Sequence, residues 1–299
     1  MAGLCEGRVA VVTGGARGIG REYCLMLAEE GAKVVVNDLG GSRDGIGADL
    51  SPAQQVVEEI KAAGGEAVAN GADVSDFAQA KAMIDQAVST FGRIDVLISN
   101  AGILRDRMLI NMTEDEWDTV IKVHLKGTFA PAHHAARFWR DESKKSGQPT
   151  TGRIINTSSV SGIYGNIGQT NYGAAKMGIA GFTIILAREL KRYGVTVNCI
   201  APGALTRLTE DLGTITEERK QRMDPKWVAP IAVWLASEQS QEVTGRVFEA
   251  SGGLLAIAEG WHRGPTAEPV MDPKKLGPIV AEMMKHARKN AGMNGADLD

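Results

Sequence analysis

The sequence predicts one α/β domain built on a doubly wound parallel sheet of about seven strands, followed by a C-terminal helical extension. Short runs rich in β-branched residues alternate with longer helical patterns along most of the 299 residues, which is typical of βαβ units with right-handed crossovers. Several of these runs are apolar almost throughout, as strands covered on both faces must be. The composition, 43% hydrophobic and 23% charged, is that of a globular protein.

Seven segments are predicted as strands, and helices lie between them. The strands are Val9–Thr13, Val34–Asp38, Ala67–Asp73, Val96–Asn100, Arg153–Thr157, Val195–Ala201 and Val247–Ala250. Ser51 is the predicted N-cap of one helix, with Pro52 at its first position. Thr113 and Glu116 form a capping box that begins a later, long helix. This order of elements indicates a Rossmann-type sheet.

One change in composition, near residue 255, separates a predicted main domain of residues 1–255 from an extension of residues 256–299. A Gly- and Pro-rich stretch of the extension leads to a helix signal at Asp272-Pro273. The apolar residues of this helix share one face, and they are Leu276, Ile279, Val280, Met283, Met284 and Ala287. The sequence leaves open whether this face packs on its own subunit, caps a substrate pocket or contacts a neighbouring subunit.

Charge and residue usage exclude several kinds of partner. The 33 basic and 36 acidic residues are mixed without a basic run, so neither a nucleic-acid surface nor membrane binding is expected. No apolar run approaches the roughly 20 residues of a membrane span. The three cysteines and five histidines lack disulfide or metal-ligand spacing. We therefore expect no metal site. We also expect a cytoplasmic protein, since the chain ends in Ala-Asp-Leu-Asp rather than the peroxisomal Ser-Lys-Leu.

The first strand runs into a glycine-rich turn, Gly14–Gly20, and then directly into a helix. Such a turn lets backbone amides approach a pyrophosphate at the positive end of the helix. Asp38 ends the second strand, where a carboxylate accepts hydrogen bonds from the adenosine ribose and repels a 2′-phosphate. Arg17, in the turn, favours a phosphate, but the charge of Asp38 lies beside the 2′ position itself. We therefore predict NAD as the cofactor rather than NADP.

Together with Asn100-Ala101-Gly102 and Tyr172-x-x-x-Lys176, the glycine turn resembles the short-chain dehydrogenase/reductase family over about residues 5–255. The resemblance implies a cofactor-binding set, which is Gly14, Arg17, Gly18, Ile19, Gly20, Asp38, Leu39, Asp73, Val74, Asn100, Ala101, Gly102, Tyr172, Lys176, Pro202, Gly203 and Thr206. By the same resemblance, Asp73 and Val74 border the adenine. Pro202, Gly203 and Thr206 hold the nicotinamide carboxamide.

Tyr172 and Lys176 lie four residues apart, hence on one face of a helix. A tyrosine with a pKa of about 10 needs a nearby cation to act at neutral pH, and Lys176 and the nicotinamide both provide one. Ser159, 13 residues before Tyr172, matches the family's substrate-orienting serine better than the adjacent Ser158. His124 stands where the family has an asparagine that supports a water beside the lysine. A histidine there hydrogen-bonds water and relays protons, or is simply a packed side chain.

Within the family, the segments 37–41 and 123–127 are similar to the (3R)-hydroxyacyl-CoA dehydrogenase units of multifunctional enzymes of type 2. This resemblance implies interconversion of a secondary alcohol and a ketone on a 3-hydroxyacyl-CoA, in lipid metabolism. A hydroxysteroid dehydrogenase and a 3-oxoacyl reductase are the alternatives, and a non-catalytic NAD-binding or scaffold protein is the remaining class. The candidates for an apolar substrate wall are Met108, Leu109, Leu208 and Trp261. The family also implies a homo-oligomer, usually a homotetramer.

Overall fold

The computed structural model describes residues 2–42, 44–205 and 216–298. Its strands are β1 (Val9–Thr13), β2 (Lys33–Asn37), β3 (Ala67–Asn70), β4 (Val96–Ser99), β5 (Arg153–Thr157), β6 (Thr196–Pro202), β7 (Val247–Ser251) and β8 (Leu254–Ala258). They form one sheet in the order β3-β2-β1-β4-β5-β6-β7-β8. The first seven strands are parallel, whereas β8 is antiparallel to β7. The predicted doubly wound parallel sheet is therefore confirmed.

The eighth strand is a feature that the sequence did not predict. β7 and β8 form a tight hairpin in which Ser251 pairs with Leu254 across Gly252 and Gly253. A Gly-Gly pair between two apolar runs is a hairpin signal. Because β8 crosses position 255, the sheet continues past the predicted boundary, and the division of the chain into two regions stays a prediction. Asp38 and Asp73 follow β2 and β3 rather than ending them.

The helices alternate with the strands. They are α1 (Gly18–Glu29), α2 (Ser51–Ala62), α3 (Phe77–Phe91), α4 (Glu114–Ile121), α5 (Gly127–Ser146), α6 (Thr170–Leu190), α7 (Glu217–Arg222), α8 (Ala229–Ala236) and α9 (Leu276–His286). Two single π-helical turns interrupt this pattern. One, Lys122–Lys126, joins α4 to α5, and the other, Ser161–Gly165, precedes α6.

The helix starts test the predicted capping residues. The Thr113 side chain accepts a hydrogen bond from the Glu116 amide, and the Glu116 carboxylate accepts one from the Thr113 amide, so the capping box is confirmed. The prediction for Ser51 is wrong, because Ser51 already belongs to α2 and its side chain does not cap it. Instead the Asp49 carboxylate accepts from the Ser51 amide at 2.9 Å, a bond that aspartate readily makes two residues along the chain.

Two apolar layers cover the sheet. Val12 and Val36 face the layer that contains α1, α2 and α8, whereas Val11 and Val35 face the layer that contains α3 and α5. The strands β1, β2 and β4 to β7 are thus buried on both faces, as their apolar sequences predicted. Within the described part of the chain, no helix is long and apolar enough to cross a bilayer.

The C-terminal helix α9 lies apart from this core. None of its residues is buried, and Val280 and Met284 are 48% and 68% exposed. Of the alternatives for its apolar face, packing against its own subunit is therefore not seen in the described residues. The last residues turn back toward the sheet, where Gly295 lies beside the ring of Tyr164.

Candidate active site

A cleft of about 420 Å³ lies at the carboxyl ends of β1, β4 and β5, where the strand order reverses between β1 and β4. It is lined by most of the predicted residues, which are Gly14, Arg17, Gly18, Ile19, Asp38, Leu39, Asp73, Val74, Asn100, Ala101, Gly102, His124, Ser159, Tyr172, Lys176 and Pro202. Gly20 and Gly203 lie behind this lining. Thr206 lies outside the described residues. One cleft thus collects groups from eight separate segments of the chain.

Gly20 and Gly203 support the cleft from behind. A side chain on Gly20 would place its Cβ 2.0 Å from the Gly14 carbonyl oxygen, so only glycine lets α1 pack against the turn. The Gly203 amide donates to the Ala250 carbonyl at 2.8 Å. This bond fixes the chain after β6 to the neighbouring strand β7.

The predicted apolar substrate wall is not found in this cleft. Met108, Leu109 and Trp261 are all more than half exposed and lie outside its lining, and Leu208 is not among the described residues. Met108 and Leu109 lie at a short 3-10 helix, Leu109–Asn111, in the chain after β4, whereas Trp261 follows β8. The apolar lining on this side comes instead from Ile103 and Leu104.

The glycine turn has the geometry that a diphosphate requires. Gly14 and Gly18 have positive φ angles of 62° and 51°, which side-chain-bearing residues rarely adopt. A Cβ on Gly14 would also lie 2.8 Å from the Ala101 Cα. No side chain caps the start of α1 and no acidic residue lies in its first turn. Its amides are left for a ligand, and an anion is favoured there by the helix dipole.

Asp38 is fixed at the rim of the cleft by two backbone amides. Its carboxylate oxygens accept from Ala16 at 3.1 Å and from Gly40 at 2.8 Å. One donor belongs to the glycine turn and the other to the loop that follows β2. The negative charge therefore has a fixed position beside the turn, which fits an adenosine ribose without a 2′-phosphate.

Asn100 and Thr13 hold the two central strands together at their carboxyl ends. The Asn100 side-chain amide donates to the carbonyls of Thr13 and Gly14 at 3.2 and 3.1 Å. In return, the Thr13 hydroxyl accepts from the amides of Asn100 and Ala101 at 3.0 and 3.1 Å. Thr13 was not among the predicted site residues, although a polar side chain ending an otherwise apolar strand is a visible signal.

Ser159, Tyr172 and Lys176 meet where β5 ends. The hydroxyl of Ser159 lies on the same side as the Tyr172 phenol and lowers its pKa. The Lys176 ammonium donates to the Thr157 carbonyl at 2.8 Å and lies 5.5 Å from the centre of the Tyr172 ring. The neighbouring Ser158 hydroxyl instead donates to the Lys176 carbonyl at 2.7 Å. Ser158 is thus occupied in holding α6, which supports the choice of Ser159.

The charges of these groups differ from the expectation. Burial raises the pKa of Tyr172 to about 12; the Ser159 hydroxyl lowers this pKa, and the Asp106 carboxylate raises it. Burial lowers the pKa of Lys176 to about 8. Burial is the largest effect on the tyrosine pKa in the side chains alone, and the lowering of this pKa by Lys176, whose ammonium donates to a carbonyl, stays a prediction. A further positive charge beside the phenol, as in an oxidised nicotinamide, is needed.

His124 is carried into the site by the π-helical turn Lys122–Lys126 and is fully buried. Its Nε2 lies 2.8 Å from the Ile103 carbonyl oxygen and 3.1 Å from the Ile103 amide, while its Nδ1 has no hydrogen-bond partner among the described residues. Burial, and then the charge of Lys176, lower the pKa of His124 to about 3. The expected proton relay by a ring that titrates near neutral pH is therefore wrong.

Asn171 is a buried site residue that the sequence interpretation missed. Its side-chain amide donates to the carbonyls of Arg105 and Glu116, both at 3.0 Å, and its carbonyl oxygen accepts from the Tyr172 amide at 2.8 Å. These bonds tie the first turn of α6 to the loop after β4 and to α4. An asparagine directly before the tyrosine, at a helix start, was the available signal.

No group of three or more His, Cys, Asp or Glu side chains that could hold a metal ion is present in residues 2–42, 44–205 and 216–298. The three cysteines, Cys5, Cys24 and Cys199, are free and buried. Burial raises the pKa of Cys199 to about 12, so its thiol is neutral beside the site.

Comparison with known proteins gives a consistent family. A family profile described as short chain dehydrogenase matches residues 8–220. The chain is 42% identical to the peroxisomal multifunctional enzyme type 2 of Drosophila melanogaster, over 95% of this chain and 45% of that enzyme. It is 43% identical to the hydroxyacyl-CoA dehydrogenase ChsB1 of Mycobacterium tuberculosis, over 86% of this chain and 81% of that protein. The chain thus spans less than half of the multifunctional enzyme.

The fold also has a solved counterpart. A short chain dehydrogenase from Mycobacterium avium, known from a crystal structure, superposes with a TM-score of 0.87 at 50% identity. The match covers 98% of this chain and all of that one, so it includes the C-terminal extension.

Proposed function

This chain belongs to the short-chain dehydrogenase family, and from that premise we propose that it is an NAD-dependent oxidoreductase interconverting a 3-hydroxyacyl-CoA and its ketone. One observation carries the proposal. Ser159, Tyr172 and Lys176 meet at one end of a cleft whose other end is an uncapped glycine turn. Such a cleft holds a dinucleotide lengthwise, with its reactive ring beside the tyrosine.

The proton chemistry follows from the three side chains. When bound, an oxidised nicotinamide would supply a hydride acceptor for the substrate carbon and a positive charge, and the glycine turn and Asp38 would hold its dinucleotide. Ser159 holds the substrate oxygen, and Tyr172, as phenolate, takes the hydroxyl proton. The C–OH carbon loses a hydride and the oxygen a proton, so a C=O bond results and the charges balance. General base catalysis of this kind contributes about 10²- to 10⁴-fold.

Two features support the finer choices of cofactor and substrate. The fixed carboxylate of Asp38 disfavours a 2′-phosphate, which supports NAD over NADP. The name of the hydroxyacyl-CoA dehydrogenase ChsB1, a relative from Mycobacterium tuberculosis, supports an acyl-CoA substrate. A hydroxysteroid dehydrogenase and a 3-oxoacyl reductase are the alternative activities.

Assembly and location are further proposals. The exposed apolar face of α9 supports a homo-oligomer, and the family makes a tetramer our choice. We keep the cytoplasm as the proposed compartment, although the Drosophila relative is named as peroxisomal.

The test follows NADH formation from NAD with a series of 3-hydroxyacyl-CoA substrates and with 17-hydroxysteroids. We expect turnover of the thioesters, dependent on acyl length, and none of the free steroids. The Tyr172→Phe variant should lose turnover but still bind NAD, because most of the residues proposed to hold the dinucleotide are unchanged. Turnover of steroids alone would favour the alternative dehydrogenase, and normal turnover by Tyr172→Phe would contradict the mechanism.

A further inference from the structure

A hydrogen-bonded pair of side chains, Tyr164 and Glu249, lies beside the active site without lining its cleft. Tyr164 belongs to the π-helical turn Ser161–Gly165, two residues after Ser159, and Glu249 lies on β7. The phenol donates a short hydrogen bond to the carboxylate and joins segments 85 residues apart in sequence. The C-terminal Gly295 lies against the same ring.

The environment of this pair is unusual for a carboxylate. Glu249 is only 8% exposed and lies on the same sheet face as Val247, which packs against α6. Within the described chain, no arginine, lysine or histidine forms an ion pair with it. Burying a carboxylate without a cation is unfavourable, and an apolar pair would stabilise a fold better. The pair therefore indicates a role in placing the turn.

The turn that Tyr164 anchors begins two residues after Ser159 and is hydrogen-bonded to it. The Ser159 hydroxyl accepts from the Ser161 amide at 3.1 Å, and the Ser159 carbonyl accepts from the amides of Gly162 and Ile163 at 2.9 and 3.1 Å. A Cβ on Gly162 would lie 2.7 Å from the Lys176 Cβ, so the turn rests directly on α6. Any shift of the turn away from α6 moves the Ser159 hydroxyl relative to Tyr172.

We propose that Tyr164 and Glu249 are positioning residues, whose hydrogen bond holds the turn against α6 so that the Ser159 hydroxyl stays in position beside Tyr172. This inference rests on the proposed dehydrogenase function. Both side chains act through Ser159, because neither of them lines the cleft. Burial and the carboxylate raise the pKa of Tyr164 to about 12, so its phenol donates throughout the physiological range.

The test compares the rate and the pH dependence of NAD-linked oxidation in matched variants. Tyr164→Phe removes only the donor, and we expect kcat to fall about 3- to 10-fold, the effect of one lost hydrogen bond. NAD binding should be unchanged. Glu249→Gln keeps an acceptor oxygen and should retain most of the activity, whereas Glu249→Ala should resemble Tyr164→Phe. Tyr193→Phe makes the same chemical change away from the cleft and serves as control.

The pH profile separates positioning from a general structural role. Ser159 lowers the pKa of Tyr172. If Ser159 is displaced, this pKa should rise, and the increase of kcat with pH should therefore occur at higher pH. The ionisable groups facing Tyr172, namely His124, Lys176 and Asp106, are intact in every variant. A variant with lower kcat or lower melting temperature but an unchanged pH dependence of kcat would overturn the inference, as would kcat equal to the Tyr193→Phe control. Turnover by Tyr172→Phe would instead overturn the proposed function.

Discussion

At the scale of single residues, Asp38 has two tasks. Its carboxylate accepts two backbone hydrogen bonds that join the glycine turn to the loop after β2. It also places a negative charge at the rim of the cleft, where the second ribose hydroxyl of the cofactor would lie. The first task depends on hydrogen-bond geometry, and the second depends on charge.

These two tasks lead to a prediction for cofactor choice. Asp38→Asn keeps one of the two acceptor oxygens and removes the charge, so we expect the preference for NAD over NADP to fall by about tenfold or more, because a like-charge contact costs several kcal/mol. The measurement is the ratio of the two dissociation constants. Asp85→Asn, an exposed change on α3, is the control. An unchanged ratio would contradict the assignment of Asp38 as the selectivity residue.

Gly102 illustrates how tightly the site is packed. A Cβ at this position would lie 2.4 Å from the His124 Cε1, in a ring that is itself buried. We therefore expect Gly102→Ala to lower the free energy of unfolding by about 1–3 kcal/mol, as overpacking does. It should also reduce turnover, because His124 contacts the Tyr172 ring edge-on at 5.1 Å between centroids.

Urea unfolding and steady-state kinetics measure these effects. Gly181→Ala is the matched control, since nothing lies within 4 Å of its Cβ position on α6. That change should stabilise the protein slightly, because alanine favours a helix. Equal stability of the two variants would show that His124 yields to the new methyl group.

At the scale of elements, the capping box shows how a helix start positions the site. Thr113 and Glu116 fix the start of α4. The backbone carbonyl of Glu116 also accepts a hydrogen bond from the side chain of Asn171, which precedes Tyr172. The Glu116 carboxylate is itself stabilised, because the Thr113 amide and Arg107 lower its pKa. Helix α4 thus contributes to the placement of the catalytic helix α6.

We expect Thr113→Ala to lower the free energy of unfolding by about 1 kcal/mol, the usual effect of losing an N-cap. Thr113→Ser keeps the hydroxyl and should be close to the wild type. Urea denaturation of the three proteins provides the measurement. If the alanine and serine variants are equally destabilised, the cap does not limit the stability of this helix.

At the scale of the whole molecule, the buried and neutral His124 links folding to pH. Its pKa is about 3 in the folded protein, against about 6.5 in an unfolded chain. Between these values the unfolded state binds one more proton, so stability rises with pH. The contribution is therefore complete above pH 6.5 and is lost as the pH falls toward 3.

This linkage predicts the behaviour of His124→Asn. On acidification from pH 6.5, the free energy of unfolding should fall less steeply in the variant than in the wild type. The difference between the two slopes should reach about 1.4 kcal/mol per pH unit. Unfolding free energies at pH 5 and pH 7 give the two slopes. The pH dependence of kcat near pH 6.5 should be the same in the variant and in the wild type, because a neutral ring does not titrate there. Equal slopes of the unfolding free energy against pH in the two proteins would mean that His124 is protonated in the folded protein. A step in the pH profile of kcat near pH 6.5 that the wild type has and the variant lacks would mean the same.

Much of the fold and of the site was available from the sequence, because it depends on local patterns. Buried strands are apolar, glycines are needed at positive φ, and Tyr172 and Lys176 share a face simply by spacing. These patterns also placed Asp38 and Asn100 at strand ends, where parallel strands bring them to one cleft.

Other features depended on contacts between distant segments. The strand β8 had a local signal, the Gly-Gly pair before it, that the sequence interpretation missed. The turn at Tyr164 and the partner of Glu249 could not be predicted locally, because a π-helical turn leaves the sequence periodicity almost unchanged and the pair joins distant segments. The apolar residues Met108, Leu109 and Trp261 were placed wrongly, since hydrophobicity alone does not tell a cleft from an exposed surface.

The sequence by itself determined the fold class and the family, and it predicted which groups react, because backbone preference and residue spacing are local patterns. Only the tertiary structure decided the protonation states of the site residues and the contacts that hold them in position. Burial, which no local pattern shows, makes His124 neutral and raises the pKa of Tyr172 to about 12. Packing across the sheet likewise joins Glu249 to Tyr164, so the position of Ser159 depends on a strand far away in the chain.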